Sequence, residues 1–135
     1  MKKGKNKHSE SVRVVIRCRP LSKKEIENGR QAIVKMDTKK GEIFIQKEES
    51  EVPKIFTFDS VYDWKSEQES IFVEQAFPII ENVLQGYNAT LFAYGQTGTG
   101  KTHTMSGVPK DPELKGIMPR TFESIFAQIQ EDQNS

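Results

Sequence analysis

Residues 90 to 102 read T-L-F-A-Y-G-Q-T-G-T-G-K-T, and this stretch decides the expected fold. Its first five residues are mostly apolar without alternation, which is typical of a strand that is buried on both faces of a parallel sheet. Glycine occupies three of the six positions from 95 to 100, and Lys101 and Thr102 follow directly. A buried strand, a glycine-rich turn and a helix that starts near Lys101 together predict an α/β fold with a phosphate-binding loop.

Residues 95 to 102 match the pattern G-x-x-x-x-G-K-[ST] at every fixed position. The glycines let consecutive backbone N–H groups point at phosphate oxygens, and a following helix adds its own unsatisfied N–H groups. The charge of Lys101 suits the β- and γ-phosphates, and the Thr102 hydroxyl suits Mg²⁺. We therefore predict bound ATP or ADP with Mg²⁺, at a site made of Gly95, Gln96, Thr97, Gly98, Thr99, Gly100, Lys101 and Thr102.

The motif has two alternative interpretations, a chance match and a site for guanine. A glycine-rich turn can match the pattern by chance, but chance would also have to supply the strand before it. Guanine specificity usually needs an N-K-x-D run, and the Asn-Lys pair at residues 6 and 7 lacks the Asp. We therefore favour adenine.

The segment before the loop predicts strands and then a helix. A largely covered strand is expected at residues 12 to 18. Three β-rich runs at residues 32 to 36, 42 to 46 and 55 to 58 predict a small antiparallel appendage followed by another sheet strand. Ser66 and Glu69 have capping-box spacing and predict a helix start.

Two helices are expected from apolar spacing. The first is bent by Pro78 and ended by Gly86, and the second is opened by Pro119. The predicted buried stripe of the first is Phe72, Ala76, Ile79, Ile80, Val83 and Leu84, and that of the second is Phe122, Ile125, Phe126 and Ile129.

Composition indicates an ordinary protein of about one domain. The chain has 135 residues, with 20 Lys plus Arg against 19 Asp plus Glu, and this balance gives no general attraction to nucleic acid. No apolar run approaches the roughly 18 residues of a membrane span. The chain starts with basic residues, but the apolar region that follows them in a secretory signal is missing. We expect a cytoplasmic protein whose residues 1 to 11 form a flexible basic tail.

Three further residues admit both a functional and a structural interpretation. The lone cysteine, Cys18, excludes an intramolecular disulfide, and we favour a buried inert thiol over a catalytic one. Asp59 ends the run I-F-T-F-D and resembles a Walker-B carboxylate, but we favour an ordinary strand-end cap. His103, taken alone, is most simply a surface helix residue.

Four runs together resemble the kinesin motor domain, in order and with kinesin-like spacing. They are V-R-V-V-I-R-C-R-P-L, F-T-F-D-S-V-Y, the segment from Tyr87 to Gly107, and G-I-M-P-R. The resemblance covers residues 12 to about 131, and is greatest to the intraflagellar-transport kinesins. It implies a P-loop NTPase fold, with a central mixed or mostly parallel sheet flanked by helices.

The resemblance also implies roles for individual residues. In kinesins the R-x-R-P run borders the adenine, so Arg17, Arg19 and Pro20 are expected to line the base. His103 is expected to stack on its other side, since an aromatic ring covers a base without demanding a unique hydrogen-bond pattern. Asp59 falls in a structural strand of the family, which supports the strand-end interpretation.

The resemblance implies a longer parent protein. The kinesin switch runs N-x-x-S-S-R-S-H and D-x-x-G-x-E do not occur in these 135 residues. We expect the N-terminal part of a microtubule motor ATPase from residue 12 onward, with an incomplete sheet, no catalytic switch residue and no activity of its own. The parent is expected to bind microtubules, to dimerise through a C-terminal coiled coil, to avoid nucleic acid and membrane insertion, and to lie in the cytoplasm on the cytoskeleton, with the cilium as one candidate place. The alternatives are a truncated nucleotide-binding module and a P-loop protein of another family.

Overall fold

The computed structural model describes residues 12 to 133, which divide into two compact units. Within the described residues, the first unit comprises 12 to 17 and 23 to 62, and the second comprises 18 to 22 and 63 to 133. The predicted tail at residues 1 to 11 lies outside the described residues. No described helix is both long enough and apolar enough to span a membrane.

The first unit contains a short parallel pair. Strand β1 (Val15–Arg17) pairs with β5 (Ser60–Tyr62) in parallel, and Val61 at its centre is 3% exposed. The strand is shorter than the one predicted at residues 12 to 18. Val12, at the predicted start, is 82% exposed. The extension before β1 is held by Asp59 instead: Val14 N–H donates to its carboxylate at 2.7 Å, and Asp59 N–H donates to the Val14 carbonyl at 3.1 Å.

A separate antiparallel sheet completes the first unit. Its order is β2 (Val34–Asp37), β3 (Glu42–Ile45) and β4 (Lys54–Thr57). All three predicted β-rich runs are strands, but the run at residues 55 to 58 lies in this appendage rather than after it. The remaining element of the unit is the short helix α1 (Lys23–Glu27).

The first predicted helix of the second unit forms with a change of winding near Pro78. It consists of α2 (Gln68–Ile71), a π-helical turn (Phe72–Ala76) and α3 (Phe77–Leu84). The N–H of Phe77 donates to the carbonyl of Phe72, five residues back. Pro78 has no N–H and its ring crowds the preceding turn, so a wider turn just before it relieves the clash. The sequence predicted a bend at Pro78, and the structure has a π-helical turn just before this residue.

The sequence predicted the C-terminal end of this helix correctly but not the capping of its N-terminal end. The capping box was wrong: Glu67 is the N-cap and makes no side-chain cap bond, while the Ser66 hydroxyl donates to the Asp63 carbonyl at 2.6 Å. The stop at Gly86 is confirmed. Gly86 N–H donates to Val83 at 2.9 Å and the next N–H donates to Asn82 at 3.1 Å, which is the Schellman arrangement.

The core of the second unit is small. Of the predicted stripe, Val83 and Leu84 are 40% and 41% exposed, so the buried face ends one turn before the helix does. The C-terminal turn of α3 therefore contributes little to the core. The buried apolar residues of the unit are Ile71, Phe72, Ala76, Ile80 and Ile117.

Residues 90 to 94 are not a strand, so the predicted buried strand was wrong. Phe92 is 75% exposed and Tyr94 is 96% exposed. A β-strand is stable only when neighbouring strands satisfy its N–H and C=O groups, and no described strand pairs with this segment. The apolar composition of a segment does not determine whether other strands lie beside it.

The last helix, α5 (Ile117–Gln133), begins two residues before Pro119, which lies in its first turn. The predicted buried stripe was wrong. Ile125 is half-buried, and the buried residues of α5 are Ile117 and Arg120. Only the first part of the helix packs against described elements. The exposed members of the stripe are Phe122 at 57%, Phe126 at 63% and Ile129 at 41%.

Candidate nucleotide site

The glycine-rich loop makes a compact turn before helix α4 (Lys101–Met105). Thr99 N–H and its hydroxyl both donate to the Gln96 carbonyl, at 3.3 and 2.7 Å. Gly100 caps the helix in a left-handed conformation, with φ 100° and ψ 18°. Because this region is costly for residues with a Cβ, the loop needs glycine at this position.

Gly95 closes the other side of the turn by close approach. A Cβ built on Gly95 would lie 2.5 Å from the Thr99 hydroxyl oxygen, well inside contact distance. Any side chain here would push Thr99 away and open the turn. The close approach of Gly95 and Thr99 is therefore a property of the folded loop as well as of the motif, and we call this turn the cradle.

Lys101 reaches back across this cradle. Its ammonium donates to the carbonyls of Gly95 at 2.6 Å and Gln96 at 2.9 Å, and the residue is half-buried. An ammonium has three donors, so two bonds to the loop leave one for a phosphate oxygen. The positive charge is thus held inside the turn, where an anion would bind.

The next two residues of α4 point into accessible space. Thr102 and His103 are exposed, and the Thr102 carbonyl accepts bonds from Ser106 and Gly107 N–H, each at 2.9 Å. Because α4 is only five residues long, we assign more of the attraction for phosphate to the loop N–H groups than to the helix dipole.

No described group of three or more His, Cys, Asp or Glu side chains is arranged to hold a metal ion. Thr102, whose hydroxyl the sequence assigns to Mg²⁺, is exposed at the start of α4.

The R-x-R-P residues are divided between the two units. Arg19 and Pro20 share the second unit with the loop, and a Cβ on Gly100 would lie 4.0 Å from the Arg19 Cβ. Both are exposed, and the Arg19 guanidinium donates to the Pro20 carbonyl at 2.9 Å. Arg17 ends β1 in the first unit. The structure therefore brings Arg19 to the phosphate loop.

Two groups in this run have shifted pKa values. Burial lowers the pKa of the Arg17 guanidinium from its usual value, although a guanidinium remains charged at neutral pH. Burial raises the pKa of the Cys18 thiol; Arg19 opposes the shift and Asp63 adds to it. A raised pKa favours the unreactive thiol form, which supports the interpretation of Cys18 as an inert residue.

Asp59 has a structural role. Its carboxylate accepts the N–H of Val14 at 2.7 Å, beside the parallel pair of the first unit. This contact supports the strand-end interpretation over a metal-side carboxylate.

Sequence reasoning missed two buried polar residues near this site. Gln68 and Arg120 are 5% and 8% exposed. A signal for Gln68 was present, because it lies four and eight residues before the buried Phe72 and Ala76 and so shares their helix face. Arg120 ends the run G-I-M-P-R, but no local pattern indicates its burial.

Comparison with known proteins agrees with this geometry. The kinesin motor domain family matches residues 17 to 135. The chain belongs to the kinesin motor domain family. The resemblance found in the sequence is therefore confirmed, and the described elements are those of a partial kinesin motor domain in the α/β class.

Individual kinesins give the extent of the match. The Kinesin-like protein KIF3C of Pongo abelii and that of Mus musculus are each 50% identical to this chain over 134 residues. The alignment covers 97% of this chain and 17% of each relative. The KIF3C protein of Bos taurus is 49% identical over the same share. A solved structure, described as that of a fast kinesin with implications for ATPase mechanism and interactions with microtubules, aligns with a TM-score of 0.79. The two sequences are 42% identical, and the alignment covers 87% of this chain and 32% of the chain in the solved structure. The chain thus spans about one-sixth of its curated relatives.

Proposed function

We propose that this chain is the ATP-binding part of a kinesin that couples ATP hydrolysis to movement along microtubules. The observation that carries the proposal is the loop that precedes α4. Lys101, the first residue of that helix, donates from its ammonium to two carbonyls of the loop. Membership of the kinesin family supplies the motor class. We call the longer kinesin that would carry this sequence the parent motor.

The residues of the site divide by the part of the ligand that they would contact. The N–H groups of residues 95 to 100 and the ammonium of Lys101 would hold the phosphates, and the Thr102 hydroxyl would ligate Mg²⁺. Arg19 and Pro20 would cover one side of the adenine. The short distance between Arg19 and Gly100 supports the assignment of Arg19 to the site. Bound Mg·ATP supplies the phosphoryl group whose hydrolysis drives the motor.

We place the water-activating step outside these 135 residues. Neither kinesin switch run occurs in the sequence, and such switches orient the attacking water and sense the γ-phosphate. We therefore expect no ATP turnover by these 135 residues alone. Microtubule binding, dimerisation through a coiled coil, and a cytoskeletal or ciliary location are properties that we propose for the parent motor.

Microtubule-stimulated ATP hydrolysis tests the proposed function. We expect the parent motor to hydrolyse ATP faster when microtubules are added, because filament binding and the nucleotide state are coupled in a motor. Phosphate release is measured with and without microtubules, and the 135-residue chain serves as the control without switches. A parent motor whose ATPase ignores microtubules would contradict the motor assignment. Turnover by the control would contradict the placement of the hydrolytic step.

His103→Ala tests the proposed base contact. We expect ATP and ADP to bind about fivefold more weakly in the parent motor, since both share the adenine and a stacked aromatic contact contributes about 1 kcal/mol. Competition with pyrophosphate, which has no base, provides the control and should be unchanged. Unchanged affinity for both nucleotides would show that His103 is only a surface residue.

A further inference from the structure

A single buried amide joins two segments that follow the phosphate loop. Gln68, at the start of α2, is 5% exposed. Its Nε2 donates to the carbonyl of His103 at 2.6 Å and to that of Leu114 at 3.0 Å. A buried amide is costly unless it is hydrogen-bonded, and these two bonds connect α4 with the loop at residues 107 to 116.

That loop packs tightly around the amide. A Cβ on Gly107 would lie 2.8 Å from the Gln68 Nε2 and 2.0 Å from the Leu114 carbonyl oxygen. Gly116 N–H donates to the Ser106 carbonyl at 2.9 Å, so the loop returns to the end of α4. Only a residue without a side chain fits where the loop meets Gln68.

The far side of the loop is fixed by α5. Arg120, 8% exposed, donates to the carbonyls of Pro112 at 2.7 Å and Lys115 at 3.1 Å. The loop is therefore held by Gln68 on one side and by α5 on the other, where the Lys115 ammonium also bonds to the Glu123 carboxylate. Of Gln68 and Arg120, Gln68 also bonds directly to α4.

Helix α4 needs such external support. Its five residues make about one and a half turns, which is too short to be stable without tertiary contacts. Thr102, the residue placed for Mg²⁺, directly precedes the His103 carbonyl that Gln68 holds. The direction of the first turn of α4 is thus set in part by its bond to Gln68, a residue with no assigned contact with the nucleotide.

We propose that Gln68 is a positioning residue for the nucleotide site, which orients Thr102 by tying the α4 backbone to the 107–116 loop. This inference rests on the proposed nucleotide binding. Gln68 itself acts through α4 and has no assigned contact with the ligand.

Gln68→Met, which keeps the length of the side chain and removes its donors, tests the role in the parent motor. The affinity for a fluorescent ADP analogue in the presence of Mg²⁺ is expected to fall about fivefold, the factor that corresponds to one lost hydrogen bond. Gln128→Met makes the same chemical change at an exposed position of α5 and should leave the affinity unchanged. Equal affinity of Gln68→Met and the unmodified motor would overturn the proposal.

A double-mutant cycle with Thr102→Ala separates positioning from a general loss of stability. If Gln68 acts through Thr102, Gln68→Met should have little further effect in the Thr102→Ala background. Simple additivity of the two effects would overturn the proposal. Failure of the unmodified motor to bind the ADP analogue would instead refute the proposed nucleotide binding, so the two failures are distinguishable.

Gln68→Asn provides a milder variant if the methionine variant does not fold. Its amide is one methylene shorter and cannot reach both carbonyls. Hydrogen exchange at the amides of Ser106 and Gly107, which close the end of α4 on the Thr102 carbonyl, is expected to become at least about threefold faster than in the unmodified motor. The β2–β4 sheet should be unaffected. Unchanged exchange at both amides would overturn the proposal.

Discussion

Lys101→Ala is expected to weaken binding of both ADP and ATP by about tenfold or more. The ammonium is held within the loop by the carbonyls of Gly95 and Gln96, so its charge is available to a bound phosphate at little further cost in side-chain ordering. Charge-assisted hydrogen bonds contribute on the order of 1.5–3 kcal/mol. Loss of this charge should therefore be the largest effect of any single substitution in the site.

Titration of the parent motor with a fluorescent ADP analogue measures this effect. Lys110→Ala is the matched control, because it removes the same charge from an exposed position of the neighbouring loop. We expect the control to bind nucleotide normally. Equal affinities for Lys101→Ala and the unmodified motor would refute the assignment of residues 95 to 102 as the phosphate site.

The 135-residue chain expressed alone is expected to self-associate or to lack a cooperative thermal transition. Its second unit exposes large apolar side chains on α5 and in the segment before the phosphate loop, including Phe92, Tyr94, Phe122 and Phe126. Exposed apolar surface costs about 25 cal/mol per Å² relative to burial, and an unpaired extended segment invites association. Nucleotide at a hundredfold excess over its dissociation constant would stabilise the fold by only about 2.7 kcal/mol.

Sedimentation and thermal melting test this expectation. Species larger than the 15.4 kDa monomer should increase with protein concentration, and this sample should neither hydrolyse ATP nor pellet with microtubules. Phe122→Ser combined with Phe126→Ser should reduce the association. Val52→Ser, at a position 89% exposed in the first unit, should not. A monomer with one cooperative transition would contradict the structural expectation, and microtubule-stimulated ATPase would contradict the functional one.

Sequence alone was sufficient for the features whose causes are local. The glycine-rich turn and the helix that begins at Lys101 were predicted from eight consecutive residues, and Gly86 marked a helix end for a similar reason. The helix disturbance near Pro78 also follows from one residue, which lacks an N–H and crowds the turn before it. Family membership followed from several such local runs in the right order.

Tertiary structure decided the features that depend on partners distant in the sequence. Residues 90 to 94 have the composition of a buried strand, but no described neighbour pairs with them, so the backbone is not a strand. The stripe of α5 has helical spacing, but apolar spacing identifies a face without identifying what covers it. Ser66 has the spacing of a capping residue, but its hydroxyl bonds to Asp63 instead.

The contrast is clearest in the two buried polar residues. Gln68 shares a helix face with two buried apolar residues, whereas no local pattern indicates the burial of Arg120. For both residues, carbonyls that are brought close only by folding make the burial favourable. A motif determines which atoms can bind phosphate, because those atoms are neighbours along the chain. The orientation of the helix that bears Lys101 and Thr102 depends on hydrogen bonds between segments up to 46 residues apart, and those exist only after folding.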